Sequence, residues 1–301
     1  MKIISLCEGE APRASVFALG MFDGVHLGHR RIISAAKNIS TELGIPTSVL
    51  IFSSSPHRSK ELLPLSDRLS ELKSAGADFA YVYDFCELRD LSPESFVTDL
   101  LCKKLGAMAL VAGYNYHFGK FGAGDGDMLL SLAAKNGIKA HICERVETLD
   151  DAVSSTRIRG LLLEGDVATA NELLTYNYYL NAPVLHGKAL GRKLGLPTIN
   201  QEFSEGSAPM AHGIYYTKTE IDGKDYISVS NLGARPTVEN GGRVNLETHI
   251  LDFDGDLYGK TVKVKFFGKG RGEECFESVD ALREAVMLDC EKAREFFKTK
   301  E

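Results

Sequence analysis

The sequence predicts an α/β fold in two parts: a doubly wound parallel-sheet domain over residues 1–180, then an antiparallel β-barrel or sandwich with a closing helix over residues 181–301. Three observations carry this. Short β-rich runs alternate with helical patterns through the first 175 residues. After about residue 180 the pattern changes to alternating runs joined by Asp-Gly turns. The chain then ends in VDALREAVMLDCEKAREFF, with apolar residues at three- and four-residue spacing.

In order, SVFAL precedes a helix over 30–43, TSVLIF precedes LSDRLSELKSAG, and FAYVYDF precedes ESFVTDLLCKKLG. AMALVAG then leads to MLLSLAAKNG, and KAHICERV to TRIRGLLLEG. Ser92 before Pro93 reads as a helix N-cap, and Gly44, Gly76 and Gly106 read as helix ends. In the second part, GIYYTKTEI and KDYISVSNLG flank Asp222-Gly223, while NLETHILDF and KTVKVKFFG flank Asp254-Gly255. Both pairs read as hairpins. The boundary falls in NYYLNAPV, and no internal repeat is present.

With 301 residues and 44% hydrophobic content, each part has material for a core. A formal net charge of −6 argues against general nucleic-acid binding and against a basic membrane-surface role, so small-molecule partners are expected. Cys7, Cys86, Cys102, Cys143, Cys275 and Cys290 have no CxxC spacing, which fits a reducing cytoplasm better than a disulfide framework or zinc site. MKIISLCEGE lacks the apolar core of a signal peptide, and no run approaches a membrane span. Oligomeric state is not legible.

The chemistry concentrates in GMFDGVHLGH at 20–29, between the first β run and the first helix. In an α/β sheet that junction collects anions, because the helix presents free N–H groups and a positive dipole end. Gly20, Gly24 and Gly28 admit a polyphosphate close to the backbone, and His26 and His29 can donate to its oxygens.

The same string, with its Phe22 and Asp23, resembles the HxGH signature of bacterial bifunctional riboflavin kinase/FAD synthetases. VSSTRIR at 153–159 is similar to their second nucleotidyltransferase motif, and GRKLGLPTIN, NLGARPTV and ETHILDFDGDLYGK are similar to their flavokinase motifs. The motifs stand in family order along essentially the whole chain. The resemblance implies ATP with Mg²⁺, and riboflavin, FMN and FAD as substrates or products. It implies adenylylation of FMN by the first domain and phosphorylation of riboflavin by a flavokinase barrel.

Within that frame Ser154, Ser155 and Thr156 precede a helix and form an anion site, to which Arg157 and Arg159 add charge. VAGYNYHFG resembles the flavin-side loop, where Asn115 bonds a polar edge and Tyr116 and Phe118 offer stacking faces. Thr198 and Asn200, spaced i, i+2, face one way on a strand and can share a Mg²⁺. Gly187, Lys188, Gly191 and Arg192 flank the phosphates. The resemblance implies that Glu247 takes the proton from the riboflavin 5′-hydroxyl. Arg235 and Pro236 shape the neighbouring loop.

Two stretches depart from the pattern. IFSSSPHRSK stands where relatives carry an acidic residue and Pro-His-Pro, so Ser55 replaces a histidine unless His57 takes its place through a shifted loop. Asp150, Asp151 and Ala152 stand where many relatives carry a basic residue. A kinase with a weakened adenylylating half, or a non-catalytic flavin sensor, are the alternatives.

Overall fold

The computed structural model describes residues 1–5, 14–53, 60–148, 151–187, 191, 195–234 and 244–299. It divides into two compact units, Met1–Arg157 and Ile158–Glu301.

In the first unit β1 (Lys2–Ser5), β2 (Ser15–Leu19), β3 (Thr47–Phe52), β4 (Phe79–Tyr83), β5 (Ala107–Gly113) and β6 (Lys139–Cys143) form one sheet in the order β1-β4-β3-β2-β5-β6. Every pairing is parallel. Helices α1 (Leu27–Leu43) and α2 (Leu65–Ser74) cover one face. The other is covered by a π-helix (Phe96–Lys104) and a helix over Gly126–Lys135.

Side-chain alternation explains the apolar strand runs. Val16, Ala18, Val49 and Ile51 pack with Ile32, Ile33, Ala36 and Leu72 on the α1/α2 side. Phe17, Leu19, Leu50 and Tyr81 pack with Val97, Leu101, Leu129 and Leu132 on the other. Both faces are buried, so no polar face interrupts the sequence. Gly44 closes α1 at φ 67, and Ser92 caps the turn at Pro93, as the sequence suggests. The strand order reverses between β2 and β5, which makes their carboxyl ends the switch point where ligands settle in open α/β sheets.

β6 is followed by a small hairpin, β7 (Glu147–Thr148) with β8 (Asp151–Ala152). In the second unit β9 (Tyr179–Pro183), β10 (Thr198–Glu202), β11 (Gly213–Ile221), β12 (Lys224–Ala234), β13 (Val244–Ile250) and β14 (Thr261–Arg271) pair antiparallel in the order β10-β13-β12-β11-β14-β9. Beyond β9, Leu185 donates its N–H to the Asn200 carbonyl at 2.8 Å, and the Gln201 amide reaches the Ala182 and Val262 carbonyls at 2.6 and 2.8 Å. The sheet edges thus meet in a nearly closed barrel.

Asp222-Gly223 is the two-residue turn its sequence suggests, with φ 51 and 77, matching a type I′ hairpin. The Asp254-Gly255 reading needs correction. β13 pairs with β10 and β12, and β14 with β11 and β9, so residues 251–260 form a connection rather than a hairpin.

The barrel interior is partly hydroxyl. Thr217, Thr219, Ser228, Ser230 and Thr248 are fully buried and joined by side-chain hydrogen bonds of 2.8–2.9 Å. The closing helix, Val279–Lys298, packs Ala293 against Ile214, Val229 and Leu251 and pairs Asp289 with Arg271 at 2.8 Å. The sequence boundary near residue 180 lies inside β9, whereas the two compact units divide between Arg157 and Ile158. The helix Val167–Leu174 adheres to the barrel through Asn171, whose amide donates to the Phe266 carbonyl at 2.9 Å.

Candidate functional sites

At the β2 end the chain turns through Phe22 (φ 51) and Gly24 (φ 76) into α1. His26 is the N-cap, its Nδ1 accepting from the His29 N–H at 3.4 Å, which leaves the hydrogen on Nε2. The His26 and His29 rings stack at 3.6 Å between centroids. Gly28 is needed beneath them, because a Cβ there would meet the His26 ring at 3.2 Å. Phe22 is fully buried, packs in the core and sets its ring edge against His29, so it supports the histidine and does not face a ligand. Asp23 is 7% exposed, and its Oδ1 accepts from the Leu62 N–H at 2.9 Å.

Burial lowers the His26 pKa to about 4 and holds His29 well below the ordinary value, with the neighbouring His26 and Arg68 adding to the effect on His29. Both rings are therefore neutral near pH 7. The buried neutral form of His26 stabilises the fold above the unfolded pKa near 6.5, and that contribution is lost as pH falls toward 4. We expect up to about 3 kcal/mol of acid-dependent destabilisation from this residue. Denaturant unfolding of the full chain at a series of pH values should show a shallower acid loss in His26→Gln.

The second motif reaches the first by direct contact: Ser155 Oγ donates to the Asp23 carbonyl at 2.8 Å. The two motifs do not rise from adjacent strands, since β5 separates β2 from β6. Ser154 Oγ accepts the Arg157 N–H at 3.2 Å, and Thr156 is exposed. Arg157 turns toward the β7–β8 hairpin, donating to the Thr148 and Asp151 carbonyls at 2.9 and 3.0 Å, with the Asp151 carboxylate 3.9 Å away. These bonds hold its guanidinium beside the hairpin. Arg159 lies two residues further along the same helix, Ser155–Glu164.

At the β5 end Asn115 is exposed, while Phe118 is 4% exposed and packs in the core with Tyr116 and Phe96. Phe118 is thus not a free stacking face. The loop then makes a 3-10 turn at Lys120–Gly122 in which Phe121 is left-handed (φ 59, ψ 18) and 94% exposed. That conformation costs a non-glycine residue about 1–2 kcal/mol.

On the barrel, Thr198 and Asn200 share one face of β10, and Glu247 of β13 stands directly opposite Asn200 in the register. Asn245 on the same face donates to Asn200 Oδ1 at 3.3 Å and to Glu247 Oε1 at 3.2 Å. Gly187 packs on the Asn200 amide, and Gly191 on the Leu196 carbonyl with Thr198 Oγ1 beside it. A cavity of about 510 Å³ adjoins Thr198, walled by Val184, Ile199, Ile250 and the 253–258 connection. Its mouth carries Asp254 and Asp256, and His186 stacks on Tyr258 at 4.0 Å. Asn245 was missed in the sequence: an Asn two residues before a Glu stands out only once the register is known. Ser55, His57, Asp150, Lys188, Arg192, Arg235 and Pro236 lie outside the described residues.

Two family models match in the order of the two units: FAD synthetase over residues 8–157 and riboflavin kinase over residues 174–297. A protein of Pseudomonas fluorescens named bifunctional riboflavin kinase/FMN adenylyltransferase is 36% identical over 94% of this chain and 93% of its own. This chain belongs to the bifunctional riboflavin kinase/FMN adenylyltransferase family.

Other relatives of that name include those of Listeria monocytogenes, 34% identical over 94% of this chain and 92% of theirs, and Escherichia coli K12, 31% over 96% and 95%. Among solved structures, a Streptococcus pneumoniae chain described as a macrolide-efflux protein superposes with a TM-score of 0.88 at 29% identity, covering 98% of this chain and 99% of that one. No helix among the described residues is long and apolar enough to cross a membrane. The chain thus carries both halves of a bifunctional riboflavin kinase/FMN adenylyltransferase, with the His26–Ser155 cluster in the FAD synthetase half and the Asn200–Glu247 pair in the riboflavin kinase half.

Proposed function

We propose that the barrel transfers the γ-phosphoryl group of ATP to riboflavin, giving FMN, and that the α/β unit joins FMN to the AMP moiety of a second ATP, giving FAD and pyrophosphate. The observation that carries the kinase reading is the pairing of Glu247 with Asn200, both held by the Asn245 amide. A carboxylate fixed beside oxygen donors can take the 5′-hydroxyl proton of riboflavin as that oxygen attacks the γ-phosphorus and ADP departs. Among the described residues no group of three or more His, Cys, Asp or Glu is placed to hold a resident metal. Thr198 and Asn200 offer neutral oxygens, the donor type that suits a Mg²⁺ arriving on ATP phosphates and keeping its waters. They fit that role, with Gly187 and Gly191 letting the backbone pack closely on Asn200 and Leu196 beside them, and the 510 Å³ cavity that adjoins Thr198 offering a place for the base.

For adenylylation the neutral His26 and His29 at the start of α1 supply donors to the α-phosphate, reinforced by the first-turn N–H groups. An FMN phosphate oxygen attacks the α-phosphorus, and pyrophosphate leaves. The contact of Ser155 with Asp23 supports a single nucleotide site made from both motifs. The free thiols of Cys86, Cys102, Cys143, Cys275 and Cys290 fit a reducing cytoplasm. Incubation with ATP, Mg²⁺ and riboflavin followed by chromatography tests the whole reading. FAD is expected. FMN alone would leave a kinase with an idle α/β half, and no product would refute both assignments.

A fragment of residues 158–301 should fold and phosphorylate riboflavin, since it keeps β9 and the helix that Asn171 ties to the barrel. A fragment of residues 182–301 lacks most of β9, the partner of β14, and should be markedly less stable by denaturant titration. Equal stability of the two would move the boundary into the kinase half.

A further inference from the structure

Asn245 lies buried on β13 with half of its amide unsatisfied. The residue is 6% exposed, and among the described residues its Oδ1 is enclosed with no hydrogen-bond partner. An acceptor left unpaired in the interior is unfavourable, and an apolar side chain of similar shape would avoid the penalty. What the amide supplies is its two hydrogens. One goes to Asn200 Oδ1 at 3.3 Å and the other to Glu247 Oε1 at 3.2 Å. Turning the amide over would set its oxygen against the Glu247 carboxylate with no hydrogen between them, so this orientation is the one the network allows.

The strand register brings both partners within reach of one side chain. Asn245 stands two residues before Glu247 on β13, so the two leave the same face, and Asn200 of β10 lies opposite Glu247. The Asn200 amide is also enclosed by Gly187, where a Cβ would overlap it. A carbonyl oxygen has two lone pairs; the bond from Asn245 occupies one at Asn200 Oδ1 and leaves the other for the Mg²⁺ carried by ATP. We infer that Asn245 is a positioning residue for riboflavin phosphorylation: it holds the Glu247 carboxylate through Oε1, leaving Oε2 to take the 5′-hydroxyl proton, and it turns the Asn200 oxygen for the metal. This rests on the barrel being the phosphorylating site. One buried amide thereby sets the base and a metal-side oxygen relative to each other, as supporting partners do behind metal ligands.

The full chain tests it with Asn245→Leu and Asn245→Asp. Leucine has nearly the same shape and buries no unpaired oxygen, so the melting temperature of Asn245→Leu without nucleotide or metal should equal or exceed the native value. Its kcat for FMN formation should fall about 10- to 100-fold, the range for loss of a partner behind a metal site, with little change in KM for riboflavin. A merely structural residue would lower the melting temperature and leave kcat per folded molecule as it was. In Asn245→Asp a second carboxylate faces Glu247 and the two share a proton, so the acid limb of kcat moves up by about one pH unit or more, and the rate recovers at higher pH. Glu202 opposite Asn245, His249 opposite Thr198, Glu273 beside Gly233, and Asp254 and Asp256 at the cavity mouth also border this region. Native chain and variant share these groups, so the displaced limb reports the new pair. Should Asn245→Leu fail to fold, the limb in Asn245→Asp decides alone. Titration with ATP in the presence and absence of Mg²⁺, without riboflavin, reads the metal side without turnover. At one nucleotide site the tightening that Mg²⁺ brings should be about tenfold smaller in Asn245→Leu. If the native chain forms no FMN, that loss sustains the positioning role and the kinase reading falls. Native kcat in folded Asn245→Leu, an undisplaced limb in Asn245→Asp, or an unaltered effect of Mg²⁺ on ATP binding overturns the inference.

Discussion

Glu247→Gln binds ATP as the native chain does but forms FMN 10² to 10⁴ times more slowly, a rise in barrier of roughly 3 to 5 kcal/mol. The amide keeps the shape of the side chain and can still meet the Asn245 amide through its oxygen, so the Asn200–Asn245 contact survives. What disappears is the ability to accept a proton. FAD formation from supplied FMN continues, because it belongs to the other unit. A folded Glu247→Gln protein with near-native kinase turnover would falsify the assignment. Native ATP binding and a native denaturant midpoint of the barrel in the same preparation separate a chemical loss from a folding loss.

His29→Ala should depress FAD formation by about 10² to 10³ while FMN formation from riboflavin is unchanged, the range for removal of one donor from developing charge on phosphate. His26→Ala should do the same but with a loss of stability of about 1 kcal/mol, since His26 also caps α1. The two variants thus differ in melting temperature and agree in chemistry. Loss of FMN formation in either would indicate misfolding. The parallel variant His57→Ala decides whether that residue replaces the histidine absent at Ser55: depressed FAD synthesis supports the replacement, and a silent variant places the donors in α1 alone.

The fold was legible where one local rule decides the outcome. Runs such as SVFAL and TSVLIF are buried on both sides, and Asp222-Gly223 has the left-handed dihedrals its residues favour. Asp254-Gly255 has the same composition, but its flanking strands pair with other partners, a fact of topology that no dipeptide encodes. β1 was missed because four residues at a sheet edge give too short a pattern, and β7–β8 is shorter still.

At the sites, glycines and histidines in one contiguous string were readable because backbone geometry fixes their neighbours. Arg157 carries the charge to meet a phosphate, and the fold also brings the hairpin carbonyls and the Asp151 carboxylate within its reach, partners that no local pattern indicates. Arg68 is not legible at all. It sits in a helical pattern that looks solvated, but it is 1% exposed, donates to the Phe52 carbonyl and bears electrostatically on His29. Only the fold brings α2 to the ends of β2 and β3.

The hydroxyls of Thr217, Thr219, Ser228, Ser230 and Thr248 inside the barrel bear on how its stability responds to temperature. Exposing apolar surface raises the heat capacity of unfolding, whereas exposing polar surface lowers it. A barrel with aliphatic side chains at these five positions would have a more sharply domed stability curve. The present one should have a flatter curve, so that cooling erodes it less.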